Sequence, residues 1–206
     1  MIATLIILAT VTFVSMMSPG PDMMLVIKYG GERDRWPAVA CITGICCGLL
    51  VHIGFSILGI ATMIAASATL FTTIKLMGAA YLVYIGVNAL FSSNHQPLDH
   101  AYHTQTTDPK TAFRDGLLCN VLNPKVTLFI LAVFTQMVEP STPFLDKMVY
   151  GLFIVLEAFV VWTIFTALVR TKWMLAFIQK NQVAIDRITG LVLIGFGSSL
   201  ALGKDR

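Results

Sequence analysis

The sequence predicts an all-α integral membrane protein. Six transmembrane helices form two inverted three-helix repeats, with a proline-broken first helix in each half. Three observations carry this reading. The 206 residues are 56% hydrophobic and only 12% charged, with a mean hydropathy of +0.79, whereas a soluble domain carries about 25% charged residues. Six apolar segments follow one another, each long enough at about 1.5 Å per residue to cross a hydrocarbon core about 30 Å thick. Rare features also recur at one offset: Pro19 and Pro124 lie 105 residues apart, and so do His52 and Glu157.

The segments fall at 2–28, 37–65, 70–91, 113–138, 145–169 and 184–203 within a single membrane domain, 1–206. Residues 1–91 form the first repeat, 92–112 a polar linker, and 113–206 the second repeat. The start of the chain shows no basic region and no small-residue cleavage site, so 2–17 reads as a retained span and not a signal peptide. That span is interrupted at Ser18-Pro19-Gly20-Pro21-Asp22. Each proline lacks an N–H and clashes with the carbonyl four residues earlier, so no regular helix holds both. Such a break is tolerated in a bilayer only where protein or a water-filled cavity satisfies the freed polar groups. An intramembrane carboxylate such as Asp22 is a functional candidate by default.

The second segment carries His52 and a small-xxx-small pair, Gly44 and Gly48, suited to internal helix packing or to a homodimer face. In the third, Tyr81 and Tyr84 either line a path or form an aromatic layer. The linker holds His95, His100 and His103, whose spacing suits a metal only if the loop folds around it; a solvated tether is the plainer reading. The fourth segment contains Asn120-Val121-Leu122-Asn123-Pro124-Lys125, and the fifth has Glu157 inside an apolar run. Residues 171–183 place Trp173, Met174, Phe177 and Ile178 opposite Lys172, Gln179 and Lys180, predicting a short amphipathic helix lying in the interface. Gly195 in the sixth segment is the expected counterpart of Gly86.

Three spans per half is an odd number, so the two halves must be inverted. By helical rise the breaks lie about 14–15 Å from the same membrane surface, at a common level. Nine basic residues fall in the first, third and fifth connections against four on the other side, which puts the odd connections in the cytoplasm and both termini outside.

Helix ends at such breaks offer free N–H groups to anions and free carbonyls to cations. Asp22 then suits an ammonium and Lys125 a carboxylate, or the two neutralise each other. Asn120 and Asn123 add neutral hydrogen bonds. Glu157 is the candidate proton carrier, with Asp22 and His52 as further proton-coupling candidates; the alternative for Glu157 and His52 is a satisfied core group.

Cys41, Cys46, Cys47 and Cys119 lie in apolar surroundings and read as packing residues, or as a thiol-redox relay if Cys119 approaches Cys46 or Cys47. A divalent-metal exporter using Asp22, Glu157 and the loop histidines is the other rival. No phosphate-cradling G-x-x-x-x-G-K-[ST] loop and no nucleophile–base pair is present, so neither an enzyme nor a resident cofactor or metal is expected. The basic residues form no stripe suited to nucleic acid. The expected partners are the lipid bilayer, a small solute and protons.

Three motifs together, Ser18-Pro19-Gly20-Pro21-Asp22, Gly78-Ala79-Ala80-Tyr81-Leu82-Val83-Tyr84-Ile85-Gly86 and Asn123-Pro124-Lys125, resemble the LysE/RhtB family of amino-acid exporters. The likeness covers essentially the whole chain. It implies a multi-pass exporter of amino acids or close derivatives (threonine, homoserine, leucine or lysine type) in the bacterial inner membrane, driven by the proton gradient. The substrate would bind among Ser18, Pro19, Gly20, Pro21, Asp22, Asn120, Asn123, Pro124, Lys125 and Tyr84, and the inverted halves would rock around it.

Overall fold

The computed structural model describes residues 2–91, 107–138 and 141–202. Their regular elements are α1 (Ile2–Met17), α2 (Pro21–Gly30), α3 (Trp36–Ala66), α4 (Ala68–Leu90), α5 (Pro109–Val121), α6 (Pro124–Met137), α7 (Phe144–Val169) and α8 (Lys172–Leu202). The loop histidines 95, 100 and 103 lie outside the described residues.

Both predicted breaks are present. The chain bends by 70° between α1 and α2 and by 59° between α5 and α6. Each second half-helix starts with proline at its first position, where a missing N–H leaves no bond unmade. Gly20 is extended (φ −169°, ψ 177°), and its carbonyl accepts the first bond of α2, from Met24 N at 3.1 Å. Asn123 caps α6, its side-chain oxygen accepting from Lys125 N at 3.0 Å.

Two boundaries differ from the sequence-based expectation. The fourth span starts at Pro109, not 113, because Asp108 caps it by accepting from Lys110 N at 3.2 Å. Residues 171–183 form no separate interfacial helix; they continue into the sixth segment as α8, with no glycine or proline between to end the turn. Among the described residues, α3, α4 and α7 are by length and composition apolar enough to cross a membrane, and the two bent pairs bring the number to five. α8, which holds the predicted sixth segment, has 31 residues and carries Gln182, Asp186 and Thr189 on its buried face.

The broadest interfaces are α3 with α5 and α4 with α8. Both are glycine contacts. A Cβ on Gly44 would lie 2.2 Å from Phe113 O, and one on Gly116 would lie 2.3 Å from Cys41 O. Gly48 faces Asn120 in the same crossing, so the small-residue pair is used for internal packing and not for a homodimer face. In α4–α8, Gly86 and Gly190 each meet the other's carbonyl. Gly86 thus packs on Gly190, whereas beside Gly195 there is open space.

The first half-helix of each break packs on the second span of the other half, α5 on α3 and α1 on α7. At the far end of α2, Gly30 presses on Thr166 of α7. Arg170 extends from the end of α7, donating from Nε to Gly30 O (3.1 Å) and from Nη2 to the Glu32 and Asp34 carbonyls (3.3 Å each). The Glu32 carboxylate accepts from Thr107 N at 2.8 Å and from Thr107 Oγ1 at 2.6 Å, fixing the start of α5 beside the α2–α3 turn.

Candidate functional site

The two breaks open into one internal cavity of about 70 Å³. Ser18, Gly20 and Asp22 line it from the first break, and Asn120, Asn123 and Lys125 from the second. Thr12, Ser15, Phe129 and Trp162 complete its wall with aliphatic side chains of α3, α6 and α7. Pro21 and Pro124 are the first residues of α2 and α6, so the prolines shape the cavity by ending one helix axis and starting another.

Asp22 is held from the opposite break. Asn120 Nδ2 donates to its Oδ2 at 2.7 Å, and the Cys119 thiol lies 3.5 Å from Oδ1. Lys125 reaches the other way: a Cβ on Gly20 would lie 3.9 Å from its Nζ. No ion pair joins Asp22 to Lys125 among the described residues. The two charges therefore face one cavity without neutralising each other by contact. Asn120 is buried, and its Oδ1 has no hydrogen-bond partner; glycine at 48 leaves the room that this atom occupies.

The candidate proton groups occupy related positions. His52 on α3 is buried and its Nε2–H donates to the Asn120 carbonyl at 3.0 Å, which fixes the proton on Nε2 in the neutral ring. Glu157 on α7 accepts a hydrogen bond from Thr12 Oγ1 of α1, and Thr12 lines the cavity. Each group thus reaches from the second span of one half to the first half-helix of the other.

Tyr84 lies elsewhere. It is 62% exposed on α4, beside Tyr81 with ring centroids 6.2 Å apart, and is not part of the cavity wall. Among the aromatic residues able to select a side chain, Phe129 and Trp162 face the cavity, whereas Phe55 is 72% exposed. Sequence reasoning missed Thr12, Ser15 and the Cys119–Asp22 contact. It also missed Asp186, buried on α8. The signal for Asp186 was present, since it is an acidic residue beside an apolar run.

Cys119 points to Asp22, and the Cys46 thiol lies 3.8 Å from Val155 O on α7, so these thiols serve different interfaces. No group of three or more His, Cys, Asp or Glu gathers among the described residues.

A helical membrane protein that encloses a carboxylate and an ammonium between two broken spans has the construction of a solute translocator. The chain belongs to the LysE type translocator family, whose model matches residues 13–204. It is 34% identical over 198 residues to an uncharacterized membrane protein, YrhP, of Bacillus subtilis, covering 89% of this chain and 91% of the relative. To the threonine efflux protein of Escherichia coli K12 it is 29% identical over 208 residues, covering 99% and 100%. To the homoserine/homoserine lactone efflux protein of Salmonella typhimurium it is 28% identical over 200 residues, covering 96% and 95%. No solved structure matches.

Proposed function

We propose that this protein exports a small zwitterionic amino acid, of the threonine, homoserine, leucine or lysine type, across the bacterial inner membrane in exchange for protons. The observation that carries this reading is the meeting of Asp22 and Lys125, one from each break, in a single cavity. The carboxylate suits an α-ammonium and the ammonium an α-carboxylate, and Asn123 lines the same space. The names of the efflux relatives support the same substrate class. The excess of basic residues in the odd connections supports cytoplasmic ends for α2, α5 and α7 and outside termini.

A carrier of this construction loads and releases its solute by parting helices around the site. The glycine-locked pair α3–α5 and the pair α1–α7 are the natural moving bodies, and Thr12–Glu157 couples proton binding to one of them. The reciprocal His52–Asn120 and Glu157–Thr12 contacts, and the Gly86–Gly190 crossing, support the inverted-repeat reading of the six segments.

The test is purified protein in liposomes under an imposed pH gradient, with release of each amino acid scored separately. Release of one or a few small amino acids is expected, and release of none overturns the reading. Glu157→Gln keeps an acceptor for Thr12 but cannot carry a proton. It is expected to lose the response to the gradient while retaining exchange of labelled for unlabelled amino acid; gradient-driven release at the wild-type rate removes Glu157 from coupling.

A further inference from the structure

A second concavity lies beside the binding cavity and is built from faces that the cavity does not use. On α2, Pro21, Met24, Leu25 and Lys28 share one face at i, i+3, i+4 and i+7. On α5, Asp115, Leu118 and Cys119 share another at i, i+3 and i+4. These faces line an open groove of about 640 Å³, within the roughly 300–1,000 Å³ typical of small-molecule sites.

The groove has a charged end and an inner end. At the charged end Lys28 Nζ donates to Tyr29 OH at 3.3 Å, and Tyr29 OH donates to Asp115 Oδ2 at 2.6 Å. An ammonium and a carboxylate are thus held apart by one phenol. At the inner end Cys119 lines the groove while its thiol donates to Asp22, which lines the cavity. That contact joins the wall of one space to the wall of the other.

We infer that this groove is the cytoplasmic vestibule of the carrier, taking a free zwitterionic amino acid before it passes the Cys119–Asp22 partition. Lys28 meets the carboxylate of the solute and Asp115 its ammonium. The inference rests on the exporter reading and on the cytoplasmic placement of the connection that follows Lys28. A lysine and an aspartate at the mouth of a groove are favourable against water.

Leu118 is 48% exposed in the groove, and Leu156, 64% exposed on α7, serves as the comparison. Leu118→Cys and Leu156→Cys are treated with a membrane-impermeant cationic methanethiosulfonate from the cytoplasmic side, over the background of the wild-type thiols. Because thiols react as thiolates in water, Leu118→Cys is expected to react at least about tenfold faster than Leu156→Cys, and the exported amino acid is expected to slow that reaction. Asp115→Asn is expected to raise the half-saturating cytoplasmic concentration by about 3–5-fold, the size of one exposed charge contact, and to converge with wild type at saturation.

An inert Leu118→Cys, or labelling indifferent to the amino acid, in membranes where the wild type still exports, overturns the vestibule and leaves the exporter reading standing. If the wild type exports no amino acid, both fall. Should Leu118→Cys fail to insert, the Asp115→Asn concentration dependence decides alone, and an unchanged half-saturation overturns the vestibule.

Discussion

Asp22→Asn is expected to abolish efflux, lowering it by at least about 100-fold, while the protein remains inserted and monodisperse. The substitution conserves shape and removes one charge. A hydrogen bond between charged partners contributes about 1.5–3 kcal/mol, or roughly 10–150-fold in affinity. Asparagine also brings its own NH₂ toward two existing donors, Asn120 Nδ2 and the Cys119 thiol, so one of those contacts is lost as well. Removing a buried charge relieves its desolvation, so the fold is not expected to suffer. Lys125→Ala should give the same transport defect from the other side of the cavity. The check is release of the preferred amino acid from liposomes, with insertion followed by gel filtration in detergent. Efflux at the wild-type rate by either variant excludes that residue from the mechanism.

Gly44→Ala and Gly54→Ala, ten residues apart on the same helix, are expected to shift stability in opposite directions. Both replace glycine in a helix interior, where alanine is favoured by about 0.5–1 kcal/mol. At Gly54 nothing lies within 4 Å of the added Cβ, so that gain is expressed. At Gly44 the same atom would sit 2.2 Å from Phe113 O and 2.8 Å from Leu117 N, both backbone. Neither can turn aside, so the broad α3–α5 interface must separate. A loss of at least about 3 kcal/mol is expected, the upper range for overpacking. Thermal unfolding in detergent decides it: equal midpoints for the two variants would contradict the α3–α5 register.

The breaks were legible in the sequence because proline and glycine act locally; their effect on a helix does not depend on what surrounds it. Asp22, Asn120, Asn123 and Lys125 were legible for the same reason, as polar groups beside those breaks. The rotation of each helix about its own axis was not. In water an apolar stripe marks the face turned inward, but in lipid both faces are apolar and the stripe disappears. Tyr84 was therefore placed in the cavity by its motif, whereas it lies on the outer face of α4. Cys119 and Thr12 carry no charge and stand in ordinary apolar context, so nothing short of coordinates shows that they touch Asp22 and Glu157. The Gly86–Gly190 contact was missed because glycines recur along both segments and only the backbone approach shows which of them meet.

Arg170 is the feature with the widest mechanical consequence. By gripping three carbonyls at the end of α2 it makes that short helix an extension of α7, just as glycine packing makes α5 an extension of α3. A seam between the two units is bridged at α2 and α5 by the Tyr29–Asp115, Thr107–Glu32 and Asn120–Asp22 side-chain bonds. Each of these accepts at a carboxylate and contributes about 1.5–3 kcal/mol, so three acidic side chains fasten the flank along which the two units would come apart.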